Sequence, residues 1–516
     1  MSIKLEDRER VRAANQARFD ALKAPSQRNI MGQFATPQRL ALDIAKFTGD
    51  LWASRVDRVR FLEPALGTGS FYSALLQTIP HSRWESATGI EIDSALVESA
   101  RKTWRGHPIT VVKGDFTKLE PTGKPVNLIV TNPPYVRHHH MTRATKSRLA
   151  KRVRSRLGLS ISQLAGLYCY FVLLADEWLD VGGIGVWLIP AEFMDVSYGR
   201  TLRYYLTHKV SLLRVHRFDP NKVQFEDALV TSSVVVYRKE PPRKDHAIII
   251  SYDGDLTSPS KVQTIKNSVL AGLPRWTSVT FGNHVSVVAK PTHRLSDFFD
   301  VRRGLATGDN RFFIITKAEA HERGIPERFL RPILPSPRNI VGDVIESTDE
   351  GAPKLTPSLV LIDCCEPEEV VKRDYPGLWS YLEHGKREKV NEKYLAKSRK
   401  PWYRQEHRDP APFLCSYIGR KLEHRAPFRF FWNKSKAVAT NAYLLMYPKG
   451  ELAKALEKDT TLYQRALRSL EEISPQVVSE AGRIYGGGMQ KLEPSELGSI
   501  PATQLIRELG AVLQLD

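Results

Sequence analysis

Asn132-Pro133-Pro134-Tyr135 directly follows the apolar run VNLIVT, residues 126–131. Two consecutive prolines remove two backbone donors and hold the chain extended. The Pro133 carbonyl and the Asn132 side-chain oxygen then remain free to accept. Such a corner suits a planar NH2 group. An exocyclic amine on a base is a poor nucleophile because its lone pair is delocalised into the ring. Accepting both of its N–H bonds pulls the nitrogen towards sp3 and turns the lone pair outward, a matter of orientation and electrostatics rather than of a strong base. Tyr135 adds a flat face for stacking. Asn132, Pro133, Pro134 and Tyr135 are the candidate catalytic residues.

A second constellation lies upstream. The run VRFLEP ends in Glu63-Pro64-Ala65-Leu66-Gly67-Thr68-Gly69, and glycines at such a turn let the backbone approach a ligand closely. Glu91 closes the next apolar run, 22 residues past Gly69, where an acid can accept both hydrogen bonds of a ribose diol. Asp115, followed by Phe116, closes the run after that and suits an adenine amino group. A nicotinamide site would carry a third glycine where this chain has Tyr72.

These residues need a frame that brings strand ends together. VRFLEP, SATGIEID, ITVVKGD, VNLIVTNPPY and GIGVWLIPAEF read as buried strands; FYSALLQTI, SALVESARKTW and residues 162–179 read as the helices between them. This alternation predicts an α/β fold with a doubly wound, mostly parallel, Rossmann-like sheet. SLLRVHRF and ALVTSSVVVYRK lack a helix between them and predict a hairpin at one edge. Ahead of the sheet, residues 6–23 read as a polar helix, and Leu40, Ile44 and Phe47 share a second helical face beginning near Pro37. Two prolines among charges at EPPRKDH, residues 240–246, mark a boundary. The expected organisation is a catalytic domain over 1–240, a connecting segment over 241–290 and a mixed α+β domain over 291–516.

The motif order Gln33-Phe34-Ala35-Thr36-Pro37, glycine turn, Glu91, Asp115-Phe116 and Asn132 to Tyr135 resembles the gamma class of DNA adenine-N6 methyltransferases, the TaqI-like and Eco57I-like modification methylases. The resemblance covers the first half in detail and the second loosely. It implies a class I methyltransferase fold with a C-terminal target-recognition domain, and S-adenosylmethionine as donor. Thr36 and Glu63 would lie near the donor's methionine part, with Pro64, Ala65, Gly67 and Gly69 beneath it. Glu91 and Ile92 would meet the ribose, and Asp115 and Phe116 the adenine. Members also place an aromatic opposite the tyrosine ahead of a late strand, a position matched by Phe225. With Tyr135 it would sandwich a base rotated out of the duplex. Glu63 and Leu66 stand where the family commonly has Asp and Cys, and the leucine bears on how the loop packs. The resemblance further implies the modification component of a restriction-modification or related defence system. The alternative with the same chemistry is methylation of an RNA base or a protein glutamine.

Lys and Arg total 76 against 57 Asp and Glu in 516 residues, a formal net charge of +19, which suits a polyanionic partner. Between Arg137 and Arg156 stand eight Lys or Arg, three His and no acid. This stretch is expected to be a mobile, phosphate-contacting segment through Arg137, Arg143, Lys146, Arg148, Lys151 and Arg152. In the second half, VRRGLATGDNRFF and RIYGGGMQKLEPSELGSIP resemble segments of the family's target-recognition regions, and Arg302, Arg303, Arg311 and Arg404 are candidates for phosphate or guanine contact. Double-stranded DNA is the expected partner. No Asp-x-Lys or Glu-x-Lys occurs, so any restriction endonuclease is expected on a separate chain. Adjacent His138, His139 and His140 cannot easily converge on one ion, four cysteines show no paired metal spacing, and no metal is expected. Without a signal-peptide core or a run long enough to span a bilayer, the expectation is a soluble protein of a reducing compartment, away from membranes. The resemblance implies a prokaryotic or viral-type system, and a cytoplasmic, nucleoid-associated monomer is expected.

Overall fold

The computed structural model describes residues 5–220, 222, 224–225, 231–243, 245–279, 281, 293–420, 427–484 and 489–513. Two compact units divide the chain, one running to Ser286 and the other comprising Val287–Ile484 and Met489–Asp516.

The first unit opens with helices α1 (Leu5–Ala21), α2 (Pro25–Met31) and α3 (Gln38–Ala53). Strand β1 (Val59–Glu63) leads into α4 (Ser70–Thr78), β2 (Trp84–Glu91) into α5 (Ser94–Thr103), and β3 (Ile109–Lys113) into β4 (Val126–Thr131). Then come α6 (Arg143–Leu157), α7 (Leu167–Leu174), β5 (Leu179–Pro190), α8 (Arg200–His208), β6 (Ser211–Arg217), β7 (Ser232–Arg238), β8 (Ala247–Gly254), β9 (Pro259–Lys266) and α9 (Asn267–Gly272). All nine strands form one sheet in the order β3-β2-β1-β4-β5-β7-β6-β8-β9. Strands β1 to β5 run parallel, and β7 is antiparallel to both β5 and β6.

Parallel strands covered by helices on both faces need apolar residues on both faces. Accordingly β1 is buried throughout, with Phe61 in one core and Leu62 in the other. Strand β4 repeats this: Leu128 and Val130 face the core of α3 and α4, and Ile129 faces that of α6 and α7. The strand order reverses between β1 and β4, which leaves a crevice beyond their carboxyl ends, the usual ligand site of open α/β sheets.

The sheet departs from the sequence reading in three places. Strand β3 is an outer edge along which only Val111 is buried. Strands β6 and β7 pair antiparallel as expected, yet they are not the edge (Ala228–Val230 lie outside the described residues). The stretch 241–290, read as a connecting segment, supplies β8, parallel to β6, and β9, antiparallel to β8; 282–290 lie outside the described residues. Ile248, Ile250 and Ile265 bury against the same core, so the Pro241-Pro242 pair interrupts the chain without ending the domain.

The second unit is mixed α+β, as expected. Its largest sheet has five strands, with Phe299–Arg303, Tyr443–Pro448, Phe413–Ser416, Phe430–Asn433 and Val344–Ile345 side by side. Helices Gly450–Lys458, Leu462–Glu471 and Thr503–Leu513 pack on it through Leu452, Leu467, Leu470 and Leu509.

Burying an isoleucine contributes about 1.5–3 kcal/mol, and an uncovered strand edge invites association. A chain ending at Glu240 should therefore aggregate, whereas one ending at Val279 should stay monodisperse in size-exclusion chromatography. Equal behaviour of the two would show that β8 and β9 are dispensable.

Candidate active site

Two turns meet in the crevice. The first follows β1. Gly67 and Gly69 have φ of 55° and 89°, left-handed values that favour glycine, and Gly69 caps α4. A Cβ on Gly69 would lie 2.6 Å from Trp104 Nε1, which donates to the Thr68 carbonyl at 3.0 Å. A Cβ on Gly67 would meet nothing within 4 Å, so this turn is open to a ligand. Glu91, at the end of β2, accepts from Gly67 N at 2.8 Å and from Ile92 N and Asp93 N at 2.8 and 2.9 Å. Burial pushes its carboxyl above the usual range, and the three amides work against that shift. Glu63 is buried beneath the turn with Oε2 lacking a partner among the described residues, and desolvation drives its carboxyl well upward. Leu66, where the family commonly has cysteine, fits because β2 has Gly89 beside it: a Cβ there would lie 2.5 Å from Leu66 Cδ2.

The second turn follows β4. Asn132 Nδ2 donates to the Phe34 carbonyl at 2.9 Å and to Thr36 Oγ1 at 3.1 Å. Asn132 Oδ1 is buried and has no partner among the described residues. Tyr135 is buried; its N–H donates to the Gly32 carbonyl at 3.0 Å and its hydroxyl to the Leu188 carbonyl at 3.1 Å. Burial pushes the phenol up, so it stays protonated. Gly32, at φ 63°, lets the segment before α3 lie against this turn, since a Cβ there would come within 2.5 Å of Tyr135 N.

Three rings converge here. The Phe34 ring lies 5.6 Å from Tyr135 and 6.0 Å from Phe225, and Tyr135 meets Phe225 edge-on at 6.0 Å. Phe225 is thus buried beside Tyr135, while residues 226–230, which follow it, lie outside the described residues. Perpendicular rings in contact leave no slot, so a base can enter between them only if a ring turns. Phe34 is a site residue that sequence reasoning missed, although it stands inside the quoted Gln33–Pro37 motif.

A cavity of about 520 Å3 joins the two turns, a size ordinary for a small-molecule site. Of the expected donor contacts, Pro64, Ala65, Gly67, Glu91, Ile92, Asp115 and Phe116 line it, as do Asn132 and Pro134. Thr36, Glu63 and Gly69 do not: Thr36 is spent on Asn132, Glu63 lies below the turn, and Gly69 caps α4. Asp115 Oδ1 accepts from the Thr117 amide and hydroxyl at 2.9 and 2.7 Å, and its Oδ2 lies 4.0 Å from Arg148. Mostly apolar walls that also carry acids and a bare amide oxygen fit S-adenosylmethionine, an adenosine joined through a sulfonium to an amino-acid chain.

The basic segment is helix α6, capped by Thr142, rather than a loose strand of chain. Leu149 and Val153 anchor it. Arg148 donates to the Thr117 carbonyl and hydroxyl, and Arg152 to the Thr117 and Leu119 carbonyls and to Glu177. These two arginines therefore tie α6 to the loop after β3. Arg137, Arg143 and Lys151 are exposed and Lys146 is half-buried. In the second unit Arg302 pairs with Asp300 over the Tyr447 ring, Arg303 lies 4.5 Å above the Tyr417 ring, and Arg311 and Arg404 are exposed. Tyr485–Gly488 of the second basic motif lie outside the described residues. Among the described residues no cluster of His, Cys, Asp or Glu is arranged to hold a metal, and no helix is long and apolar enough to cross a membrane.

Strand order, the antiparallel seventh strand and a crevice built on β1 and β4 define a class I methyltransferase fold joined to a separate C-terminal domain. The fold is shared with the DNA complexes of MmeI, a type IIL restriction-modification enzyme (TM-score 0.54, 13% identity, 96% of this chain and 78% of that one), and DrdV (TM-score 0.56, 14% identity, 100% and 59%). Residues 90–224 match the model of the Eco57I restriction-modification methylase, and 284–515 that of the C-terminal domain of Type II methyltransferase M.Eco57I. The chain belongs to this family of DNA methyltransferases. It is 26% identical over 462 residues to Type II methyltransferase M.XamI of Xanthomonas campestris pv. amaranthicola, covering 86% of this chain and 80% of that one. It is 25% identical over 487 residues to M.AccI of Acinetobacter calcoaceticus, covering 91% and 85%.

Overpacking a buried site costs about 1–3 kcal/mol. Gly89→Ala should lower the denaturation midpoint and weaken donor binding, and adding Leu66→Cys should restore both. Failure of the second change to rescue the first would disprove the Leu66–Gly89 packing account.

Proposed function

We propose that this protein methylates the N6 amine of an adenine turned out of double-stranded DNA, using S-adenosylmethionine, as the modification component of a restriction-modification system. The observation that carries this reading is the bare, buried Oδ1 of Asn132. A buried acceptor left unpaired costs about 1–3 kcal/mol, so a partner is expected from outside the chain. An NH2 group supplies it. Oδ1 and the Pro133 carbonyl accept the two N–H bonds, drawing the lone pair out of the ring. No strong base is needed, because the amine sheds its extra proton once it is methylated. Tyr135 and Phe225 stack on the base after one ring turns aside. S-adenosylmethionine, when bound, supplies the electrophilic methyl carbon. Pro64, Ala65 and Gly67 would hold its methionine part, Glu91 and Ile92 its ribose, and Asp115 and Phe116 its adenine. Thr36 acts behind that wall by fixing Asn132.

DNA as substrate is supported by the family and by relatives solved with DNA. Arg137, Arg143, Lys146 and Lys151 are proposed to contact phosphates. Arg302, Arg303, Arg311 and Arg404 serve the recognition domain, and the protein works in the cytoplasm as a monomer beside a separate endonuclease. Protein-glutamine methylation shares the amide chemistry but gives no role to two arginine-bearing units, and RNA-base methylation is disfavoured by the match to DNA-modifying relatives.

Asn132→Ala should cut methyl transfer roughly 100-fold to 1,000-fold while leaving DNA affinity intact. Retained activity would refute the mechanism, and tritium passing from labelled donor only into RNA or protein would end the DNA reading. Replacing Arg143 and Lys151 together by alanine should lower the slope of log affinity against log salt by about two; an unchanged slope would remove them from the phosphate surface.

A further inference from the structure

Helix α1 is unusual in what it hides. Its buried residues are Glu9 and Arg12, 6% and 3% exposed, and not an apolar face. Arg12 donates through Nε and one terminal nitrogen to both Glu9 oxygens at 2.8 and 2.7 Å, a two-pronged pairing. Its other terminal nitrogen reaches across to the glycine turn, donating to Thr68 Oγ1 at 3.0 Å and Ser70 Oγ at 2.9 Å. The Thr68 hydroxyl donates in turn to Gln16 Oε1 at 2.9 Å, and the Ser73 hydroxyl to Glu9 at 2.5 Å. The same helix and the residues just after it line the cavity through Gln16, Phe19, Asp20 and Lys23. Lys23 then bridges Gln33 at 2.9 Å and Asp93 at 3.0 Å.

Burying an ion pair costs several kcal/mol of desolvation per ion, and a well-packed apolar pair would often stabilise as well or better. Specificity of position is the gain on offer. Below the turn, Trp104 and Glu91 fix the Thr68 carbonyl and the Gly67 amide. Above it, Arg12 engages both hydroxyls that flank Gly69. Gly67, with open space where a Cβ would be, is left facing the ligand between these two clamps.

We infer that α1 is a wall of the donor site and that Arg12 is a positioning residue, holding the glycine turn in its binding shape through Thr68 and Ser70. This rests on the reading that the cavity takes S-adenosylmethionine. The loss of Arg12 acts on donor affinity, because the turn it steadies forms the donor's floor, and leaves DNA affinity alone.

The test uses the full chain and S-adenosylhomocysteine as probe. Arg12→Met should raise its Kd at least about tenfold, the worth of one charged hydrogen bond. Arg12→Lys, which keeps the charge but loses the fork, should fall between, and the loss should appear in donor KM with the DNA Kd unmoved. Adding Ser70→Ala to Arg12→Met should weaken binding little further, since the partner bond is already gone. Hydrogen exchange on the unaltered protein stands apart from any folding defect: the probe should raise protection of amides 5–21 together with 66–70. An unaltered protein that binds no probe overturns the donor reading and this inference with it. Binding by the unaltered protein with equal affinity in Arg12→Met, or with exchange in α1 unmoved, overturns the inference alone.

Discussion

The site depends on one amide being fixed in one orientation. The Phe34 carbonyl can only accept, so the NH2 end of Asn132 must face it, and Thr36 Oγ1 takes the other N–H. The oxygen end is then committed to the opposite side, where no group of the described chain meets it. Everything in the neighbourhood serves that commitment. Gly32 admits the 32–36 segment against the turn, and the Gly32 carbonyl holds Tyr135 N. The prolines between add no donor that could reach back and satisfy the oxygen. An acceptor held this way is ready before a substrate arrives, which is how fixed dipoles contribute most to a reaction.

The sheet makes this local device useful. Because strand order reverses between β1 and β4, the turn that ends each strand opens on the same crevice. The glycine turn and the asparagine corner need no long loops to meet, and both rest on buried strands. Base entry is a different matter. Phe34, Tyr135 and Phe225 pack on one another, and their mutual contact fills the space between the rings. For the proposed base to enter, a ring must give way, and the energy lost from aromatic contact would be regained by stacking on the base.

Strand ends and the residues on them were readable because parallel strands are local apolar runs with their ligands at a fixed terminus. Asn132, Glu91, Asp115 and Gly67 all fall in the crevice for that reason. What escaped depends on pairing across the fold. Leu66 looked like a packing liability until the β1–β2 register set it beside Gly89. Strands β8 and β9 were hidden by the Pro241-Pro242 pair, a sound turn signal that marks a corner here and not a domain end. Phe34 carried an aromatic side chain in a motif read only for its order. Charged residues misled most: Glu9 and Arg12, three apart on a polar helix, look like a solvated pair, and burial of charge leaves no periodic trace in sequence.

The same blindness affects the basic helix, and its resolution says how the parts can act together. A count of cations treats every arginine alike, but α6 has two faces. Arg148 and Arg152 turn inward and grip the Thr117 and Leu119 carbonyls, beside Asp115 in the cavity wall. Arg143 and Lys151 turn outward. A helix is stiff over four turns, so the outer face proposed to meet phosphate and the inner face bonded to the cavity wall cannot move independently. Arginine suits the inner role because its planar fork spans two acceptors at once, where lysine would hold only a point. Excess positive charge in this segment therefore reflects two separate demands, one of them architectural, met by alternate sides of a single helix.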